Sequence, residues 1–415
     1  MNKFSLFQFS LTIIILLIQL FFYREATLKA TDRWKSKFLR GAIPAAFALF
    51  NIPLIGLLFV RVHVSELPSW FVPFAVYPFY VWHFSFFLLF LVYLLIALLR
   101  VIYVSFEWIF RKLFPAATVK QLGVTERPAG YDRQRRIFMR RGATLLTGAA
   151  FAGAVYGAVR KDNYETTYIR VPVDLLPESF DGFTIALISD IHSSVFMSKE
   201  LMDQYAAAVN SLKADLIVVT GDFVNSQVEE VYPFAEAFSV LSAQYGVYGV
   251  LGNHDYYTRK VDVVAKRVDE CGIRILLNEN VLLQKNGDAL YLMGVDDVGN
   301  VQRAGRLFDR ALQGTKAGVP KLLLCHRPYF FEQAAARKID ITLSGHTHGG
   351  QIVLTRTQDN VIALARMASP YVAGLYAIAS SHMYVSRGIG TVGIPVRINC
   401  PPEITKITLV NNSAV

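Results

Sequence analysis

Short motifs of aspartate, histidine and asparagine recur between residues 190 and 348 of the 415-residue chain. Each follows an apolar run with the composition of a β-strand, and five of the eight histidines belong to the set. In open α/β sheets the carboxyl ends of the strands converge on one crevice, so we expect these side chains to meet there. The predicted strands and the residues after them are 184–189 with Asp190 and His192, 216–220 with Asp222, 248–251 with Asn253, His254 and Asp255, 321–325 with His326, and 339–344 with His346 and His348.

These residue types predict a site for two metal ions. A lone carboxylate or imidazole at a strand end is usually structural, but the group as a whole is too large for that explanation. Its nitrogen and oxygen donors suit Mn, Fe or Zn, and two ions about 3.5–4 Å apart clamp the attacking and leaving oxygens of a phosphoryl displacement. The seven candidate ligands, more than one ion takes, are Asp190, His192, Asp222, Asn253, His326, His346 and His348.

Taken in order, the motifs D-x-H, G-D, G-N-H-D, a lone His and G-H-T-H resemble the calcineurin-like metallophosphoesterase superfamily. Four later runs are similar to its bacterial membrane-associated branch, the YkuE/YaeI-like phosphodiesterases. They are GHTHGGQ at 345–351, YVAGLY at 371–376, VSRGIGT at 385–391 and PVRINCPPEIT at 395–405. The resemblance covers about residues 164–410 and implies a four-layer α-β-β-α sandwich with two mixed sheets.

The resemblance also implies a role for each residue. The first ion would be held by Asp190, His192 and His348, and the second by Asn253, His326 and His346. Asp222 would bridge the two ions. A hydroxide that bridges the two ions would attack phosphorus. His254 would stabilise developing charge or protonate the leaving group, with Asp255 orienting its ring. The implied reaction is hydrolysis of phosphomonoester, phosphodiester or pyrophosphate bonds.

Two further features bear on substrate binding. Arg387 is a candidate because a guanidinium group binds phosphate through two hydrogen bonds, although structural pairing near a strand end is the alternative interpretation. Residues 355–380 contain a proline and several small residues, and we expect them to form a lid over the metals.

Apolar segments dominate the beginning of the chain. The composition is 53% hydrophobic and 18% charged with a mean hydropathy of +0.36, which is too apolar for a wholly soluble protein. A transmembrane helix needs about 20 apolar residues. We therefore predict N-terminal transmembrane helices followed by an α/β domain. The membrane region is residues 1–160, with clear helices at 4–23, 41–60 and 75–104 and a weaker one at 142–159, and the catalytic domain is residues 161–415.

Positive charge is concentrated in the apolar part. Residues 1–160 contain 19 Lys and Arg against 6 Asp and Glu, whereas the remainder contains 23 against 26. This distribution argues against a nuclease, and we expect no nucleic-acid partner. Basic residues stay on the cytoplasmic side of a bacterial inner or cell membrane, so residues 105–141 are predicted as a basic cytoplasmic linker. If the fourth helix spans, the catalytic domain is extracytoplasmic.

A pair of arginines precedes the fourth apolar run. Arg135-Arg136 resembles a twin-arginine export signal, and the alternative is that both residues are ordinary anchors on the cytoplasmic side. The cysteines, Cys271, Cys325 and Cys400, are too few for a thiolate cluster.

The preferred interpretation is a membrane-anchored, metal-dependent phosphoric ester hydrolase, either a phosphodiesterase or a phosphatase. Its partners would be the lipid bilayer and a phosphoester substrate that is lipid-linked or derived from the cell envelope. The alternative is a membrane transporter or sensor with a metal-binding regulatory domain. Transport pathways usually need ionisable residues inside the membrane, and the predicted helices have almost none at their centres.

Overall fold

The computed structural model describes residues 3–33, 37–59, 70–113, 131–297, 299–356 and 361–411. It divides into two compact units, Met1–Tyr156 and Gly157–Val415. Within the described residues, four long helices begin the chain, with a short π-helical turn at Val72–Val76 before the third. They are α1 (Lys3–Arg33), α2 (Lys37–Gly56), α3 (Tyr77–Leu113) and α4 (Tyr131–Val159).

Three helices among the described residues are long and apolar enough to cross a bilayer. They include Phe9–Thr27, Val72–Phe110 and Arg141–Val159. The run at residues 41–60, expected as a clear span, is a shorter apolar helix at Arg40–Gly56, and residue 60 lies outside the described part. The weaker run at 142–159 does reach spanning length and hydropathy, because its many alanines count as apolar.

The basic segment at residues 105–141 differs from the expected linker. Helix α3 continues to Leu113 and helix α4 already begins at Tyr131, so only residues 114–130 lie outside described helices. Arg and Lys have high helix propensity, which lets both helices extend beyond their apolar parts. Arg135 and Arg136 therefore lie within α4.

A small polar cluster connects the first three helices. The side-chain oxygen of Gln19 in α1 accepts hydrogen bonds from Asn51 Nδ2 of α2 at 2.7 Å and from Trp82 Nε1 of α3 at 2.8 Å. The Trp82 ring also stacks on Phe50 with the ring centres 4.5 Å apart. Side-chain hydrogen bonds of this kind stabilise helix association where apolar burial discriminates little between partners.

The second unit alternates strands and helices. Its elements in chain order are β1 (Glu165–Val173), β2 (Thr184–Ile188), α5 (Lys199–Ser211), β3 (Leu216–Val219), α6 (Val231–Phe238), β4 (Val247–Gly249), α7 (Asn253–Tyr257), α8 (Val261–Glu270), β5 (Arg274–Ile275), β6 (Glu279–Lys285), β7 (Asp288–Gly294), α9 (Val301–Ala311), β8 (Lys321–Leu324), α10 (Phe331–Ala336), β9 (Ile341–Ser344), β10 (Val353–Arg356), β11 (Val361–Ala363), β12 (Gly374–Ile378), β13 (Ser381–Val385) and β14 (Glu403–Asn411).

Two mixed six-stranded sheets form the centre of this unit. The first has the order β1-β14-β2-β3-β4-β5 and the second β12-β13-β9-β8-β7-β6. In the first sheet β14 runs antiparallel to β2, while β2 to β5 are parallel. In the second, β13, β9, β8 and β7 are parallel to one another. Strands β10 and β11 form a separate antiparallel hairpin.

Alternation along the strands explains the layers. In β2, Ile185 and Leu187 belong to the core between the two sheets, whereas Ala186 and Ile188 face the helices outside the first sheet. Helices α5, α6 and α8 cover that outer face, and α9 and α10 cover the outer face of the second sheet. Because successive side chains of a strand point to opposite faces, strands buried on both faces are apolar throughout. The predicted four-layer sandwich is confirmed.

The last strand of the second unit is inserted into the first sheet. Strand β14 lies there between β1 and β2. The strands that precede the motifs also divide between the sheets, with β2, β3 and β4 in the first and β8 and β9 in the second. An isolated apolar run carries no information about which neighbour it will pair with.

Candidate metal centre

The motif residues lie at the carboxyl ends of strands from both sheets, and most of them have unusual backbone geometry. Positive φ angles of 48° to 73° occur at five of the seven candidate ligands: Asp190, His192, Asp222, His346 and His348. Residues with a Cβ rarely adopt this conformation. Such strain persists only where the surrounding structure requires it, and it is concentrated at functional sites.

The first set of donors consists of Asp190, His192 and His348, all buried. The Nε2 atoms of the two histidines are 3.0 Å apart, and His348 Nε2 lies 3.5 Å from Asp190 Oδ1. Burial lowers the pKa of His192 to about 3 and that of His348 well below its ordinary value. Both rings are therefore neutral near pH 7, the form in which imidazole binds a metal.

The second set is centred on His326. Its Nε2 atom lies 3.3 Å from Asp222 Oδ2, 3.3 Å from Asn253 Oδ1 and 3.2 Å from His346 Nδ1. Burial lowers the pKa of His346 to about 2, so this ring is neutral as well. The structure thus brings together the three residues of the predicted second set and the predicted bridging carboxylate.

Asp222 joins the two sets. Its Oδ2 atom is 3.3 Å from His326 Nε2 and 3.5 Å from His192 Nε2, one residue from each set. Its Oδ1 atom accepts a hydrogen bond from the backbone N–H of His254 at 2.8 Å, which fixes the plane of the carboxylate. A carboxylate in this position can contribute to both sets at once.

The charges of the centre fit divalent cations. Asp190 and Asp222 are almost completely buried, and an isolated buried carboxylate is strongly unfavourable. Burial raises the pKa of Asp190 to about 6. At His326 burial opposes the charged form, but the neighbouring Asp222 raises the pKa of the ring to about 10. A protonated His326 therefore supplies the positive charge that a cation would replace, and the nitrogen and oxygen donors suit Mn, Fe or Zn.

Main-chain carbonyl groups orient two of the rings. His326 Nδ1 lies 2.7 Å from the carbonyl oxygen of Thr220, so Nδ1–H donates and Nε2 faces the site. His254 Nδ1 lies 2.6 Å from the carbonyl oxygen of Asn225. Sequence reasoning missed both hydrogen-bond acceptors, because every residue type has a main-chain carbonyl group.

Asp255 differs from its expected role. It does not bind the ring of His254, which Asn225 orients. Instead its carboxylate accepts four backbone N–H groups, at distances from 2.8 to 3.2 Å, from Asp222, Phe223, Val224 and Gly252. Asp255 thereby connects the turn after β3 to the turn after β4.

Glu230 is a buried residue that sequence reasoning missed. Its Oε2 atom accepts the backbone N–H groups of Asn225, Ser226 and Gln227 at 2.8–2.9 Å. The loop that orients His254 is therefore held by one carboxylate. Gln227 and Glu230 have the spacing of a capping box, a signal readable from the sequence.

Arg387 is not available to substrate in the way expected. Its guanidinium group is buried and bonds to Glu403 at 3.0 Å and to Glu165 at 3.1 Å. These contacts match the alternative of structural pairing. Arg397 is buried as well and donates to the carbonyl groups of residues 387, 388, 390 and 400.

Close backbone approach explains two glycines of the motifs. A Cβ atom at Gly252 would lie 2.2 Å from Asp222 Oδ1, and one at Gly345 would lie 2.3 Å from Asp190 Oδ2. Any larger residue would displace a candidate ligand.

Aromatic and basic residues surround the centre. The ring of Tyr257 is 4.6 Å from His254, and that of Tyr329 is 5.3 Å from His346. Arg327 follows His326 and forms two hydrogen bonds with Asp297, at 2.7 and 3.0 Å. These residues are further candidates for contact with substrate. Their position next to the motifs in the sequence could have indicated this.

Comparison with known proteins agrees with this geometry. Residues 183–350 match the family model described as calcineurin-like phosphoesterase. The chain is 34% identical to a Danio rerio protein named "Transmembrane protein with metallophosphoesterase domain", over 62% of this chain and 60% of the relative. It is 32% identical to "Uncharacterized metallophosphoesterase YkuE" of Bacillus subtilis, over 64% of this chain and 93% of the relative. It is 28% identical to "Phosphodiesterase YaeI" of Escherichia coli, over 67% of this chain and 99% of the relative.

The coverage differs between these relatives. The chain spans about 60% of the zebrafish protein but nearly the whole of the two bacterial proteins. A relative named as a transmembrane protein, together with the three long apolar helices, indicates membrane association. On the motifs, the sandwich and these similarities, the chain belongs to the calcineurin-like metallophosphoesterase family.

Proposed function

We propose that this protein is a membrane-anchored, dinuclear metal-dependent phosphoesterase that hydrolyses phosphomonoester, phosphodiester or pyrophosphate bonds. The observation that carries the proposal is the convergence of two donor sets on Asp222, whose Oδ2 atom lies 3.3 Å from His326 and 3.5 Å from His192. Names of the relatives, which include metallophosphoesterase and phosphodiesterase, support the same reaction class.

The residues have separate tasks. Asp190, His192 and His348 would hold one cation, Asn253, His326 and His346 would hold the other, and Asp222 would contact both. When bound, two divalent cations supply Lewis acidity and lower the pKa of a water molecule so that it can attack phosphorus. Strained turns and main-chain hydrogen bonds hold the side chains in place before substrate arrives.

His254 would act on the leaving group. Its Nδ1–H is engaged by Asn225, so Nε2 is the atom that can donate a proton or a hydrogen bond to the departing oxygen. The ring lies 4.5 Å from that of His192, next to the donor sets but outside the seven ligands. Asp255 would support this step indirectly, through the backbone of residues 222–224.

The membrane part of the proposal concerns topology and substrate. Three to four helices, α1, α3 and α4 with or without α2, would span the membrane. Residues 1–160 would anchor the protein, and residues 161–415 would carry the activity. The excess of Lys and Arg before α4 favours an extracytoplasmic catalytic domain and a substrate that is lipid-linked or envelope-derived. Reporter fusions after Arg160 test the sidedness, and a cytoplasmic signal would contradict it.

The reaction class is tested with the full chain purified in detergent. After removal of metals and reloading with Mn or Zn, we expect hydrolysis of bis(4-nitrophenyl) phosphate or 4-nitrophenyl phosphate. Asp222→Asn should abolish it. Asp203→Asn, which changes a half-exposed carboxylate on α5, is the matched control and should be fully active. Inactive wild type with both metals, or full activity of Asp222→Asn, would overturn the proposal.

A further inference from the structure

The hairpin of β10 and β11 has an exposed apolar face. Its inner residues Val353, Val361 and Ala363 are buried in a small core of their own. The opposite face, which we call the apolar hairpin face, consists of Leu354, Ile362 and Leu364 together with the following Met367, and these side chains are 77%, 55%, 60% and 88% exposed. Large apolar side chains grouped on one exposed surface mark an interaction site.

The last turn of α4 indicates what this face meets. Within the second unit, the carbonyl oxygen of Gly157 accepts a hydrogen bond from the backbone N–H of Arg397 at 3.1 Å. The contact is so close that a Cβ atom at Gly157 would lie 2.6 Å from the Val396 side chain. Gly157 belongs to the segment Arg141–Val159, which is long and apolar enough to span a bilayer. Residues 396–398 therefore lie where this helix would leave the bilayer.

The same loop holds the hairpin. Val353 N–H donates to the carbonyl oxygen of Ile398 at 2.9 Å, and Asn399 Nδ2 donates to the carbonyl oxygen of Val353 at 3.2 Å. At the other end of β10, Arg356 pairs with Glu165, six residues after the end of α4, at 3.2 Å. The hairpin is thus attached to the exit of α4 at both ends of β10.

We propose that the apolar hairpin face docks into the headgroup region of the bilayer that α4 spans. Partial burial of these four side chains in the bilayer would be favourable, because it removes apolar surface from water. Arg366, exposed between Leu364 and Met367, places a positive charge where lipid phosphates lie. The occupant of this surface is the lipid bilayer.

Docking would place the metal centre at the membrane surface. Gly350 follows the candidate ligand His348, and a Cβ atom at Gly350 would lie 2.7 Å from Cβ of Ala363 in the hairpin. Cys400 Sγ donates to the carbonyl oxygen of His348 at 3.3 Å and belongs to the same small core as the hairpin. Resting on the proposed function, this geometry points to the phosphoester groups of lipid headgroups as the substrate class.

Depth of immersion tests the docking without any need for activity. The full chain with Cys271→Ser and a nitroxide on Met367→Cys is placed in nanodiscs of phosphatidylcholine and phosphatidylglycerol, the other two cysteines being buried. The matched control label is at Val240→Cys, which is 58% exposed on the helical side of the first sheet. We expect the label at 367 to collide more with oxygen and less with a water-soluble nickel chelate than the control. Equal exposure of both labels to the chelate would overturn the docking.

Two esters with the same leaving group test the substrate class. One is bis(4-nitrophenyl) phosphate in solution, and the other is a phospholipid in vesicles whose headgroup is 4-nitrophenol. In the triple variant Leu354→Ser, Ile362→Ser and Met367→Ser we expect hydrolysis of the lipid to fall about tenfold or more, with the soluble ester unaffected. The proposed substrate class would be contradicted if the triple variant cleaved the lipid as fast as wild type, or if it lost the same factor on both esters. It would also be contradicted if wild type cleaved only the soluble ester. If wild type cleaves neither ester, the proposed function fails, while the label still decides the docking.

Discussion

The imidazole ring of His254 is held by the main chain of Asn225, with Nδ1 and the carbonyl oxygen 2.6 Å apart. A carbonyl oxygen accepts a hydrogen bond but donates none, so Nδ1 carries a proton, and Nε2 is the ring atom left to take up a second proton and to donate it. This arrangement leaves one ring atom available for proton transfer and makes the position of a backbone loop part of the candidate chemistry.

Replacement of His254 should therefore affect turnover without affecting metal content. We expect His254→Ala to lower kcat on a diester with a poor leaving group by about 10²–10⁴-fold, because general acid catalysis contributes that much. A 4-nitrophenyl ester needs little protonation and should be affected less. Metal analysis should find the wild-type content. Loss of metal in this variant would identify His254 as a ligand instead.

Replacement of Asp222 should be more severe than replacement of a residue in one set. We expect Asp222→Asn to lower the content of both metal ions, because Asp222 lies between the sets, whereas His348→Ala should lower the content of one. Elemental analysis of the purified chain after dialysis measures this. Identical metal content in the two variants would argue against a bridging position.

Glu230 should be a positioning residue. Glu230→Gln removes the charge that binds three consecutive N–H groups and loosens the loop that carries Asn225. We expect kcat to fall about tenfold or more while KM and metal content change little, since hydrogen bonds to a charged group are worth about 1.5–3 kcal/mol. Glu229→Gln, the neighbouring acidic residue, is the control. A change in metal content but not in kcat would contradict this role.

Metal uptake should release protons. The pKa of His326 is raised to about 10 in the metal-free protein by Asp222, so this ring is protonated at pH 7 and must lose its proton to become a ligand. Affinity for Zn or Mn should therefore rise with pH between about pH 7 and 9, by about tenfold per pH unit for one proton. Calorimetry in buffers of different ionisation enthalpy counts the protons. Uptake without proton release would be the contrary result.

Arg387 should contribute to stability rather than to substrate binding. Arg387→Met leaves the buried carboxylate of Glu403 without its partner, and breaking a buried pair in this way destabilises by about 3–5 kcal/mol. We expect a lowered Tm with an unchanged KM, and partial recovery of Tm in the double variant with Glu403→Gln. An unchanged Tm together with a raised KM would restore the substrate-binding interpretation.

The order of the motifs was sufficient to predict the family, the layers of the fold and the set of side chains that meet. The strands before Asp190, Asp222 and His326 end within two residues of the predicted positions. The motifs and the strands before them depend on residue type, on the two-residue alternation of strands and on turn glycines, all of which are local properties of the chain, whereas the layers were implied by the resemblance to the family.

The partners of those side chains were decided by the tertiary structure. The placement of β14 in the first sheet, the carbonyl groups of Thr220 and Asn225, the four N–H donors to Asp255 and the ion pairs of Arg387 all join segments far apart along the chain or involve main-chain groups. The type of a residue determines which hydrogen bonds and ion pairs it is able to form. Which of them form depends on the groups that packing brings within about 3 Å, and only the folded chain determines that.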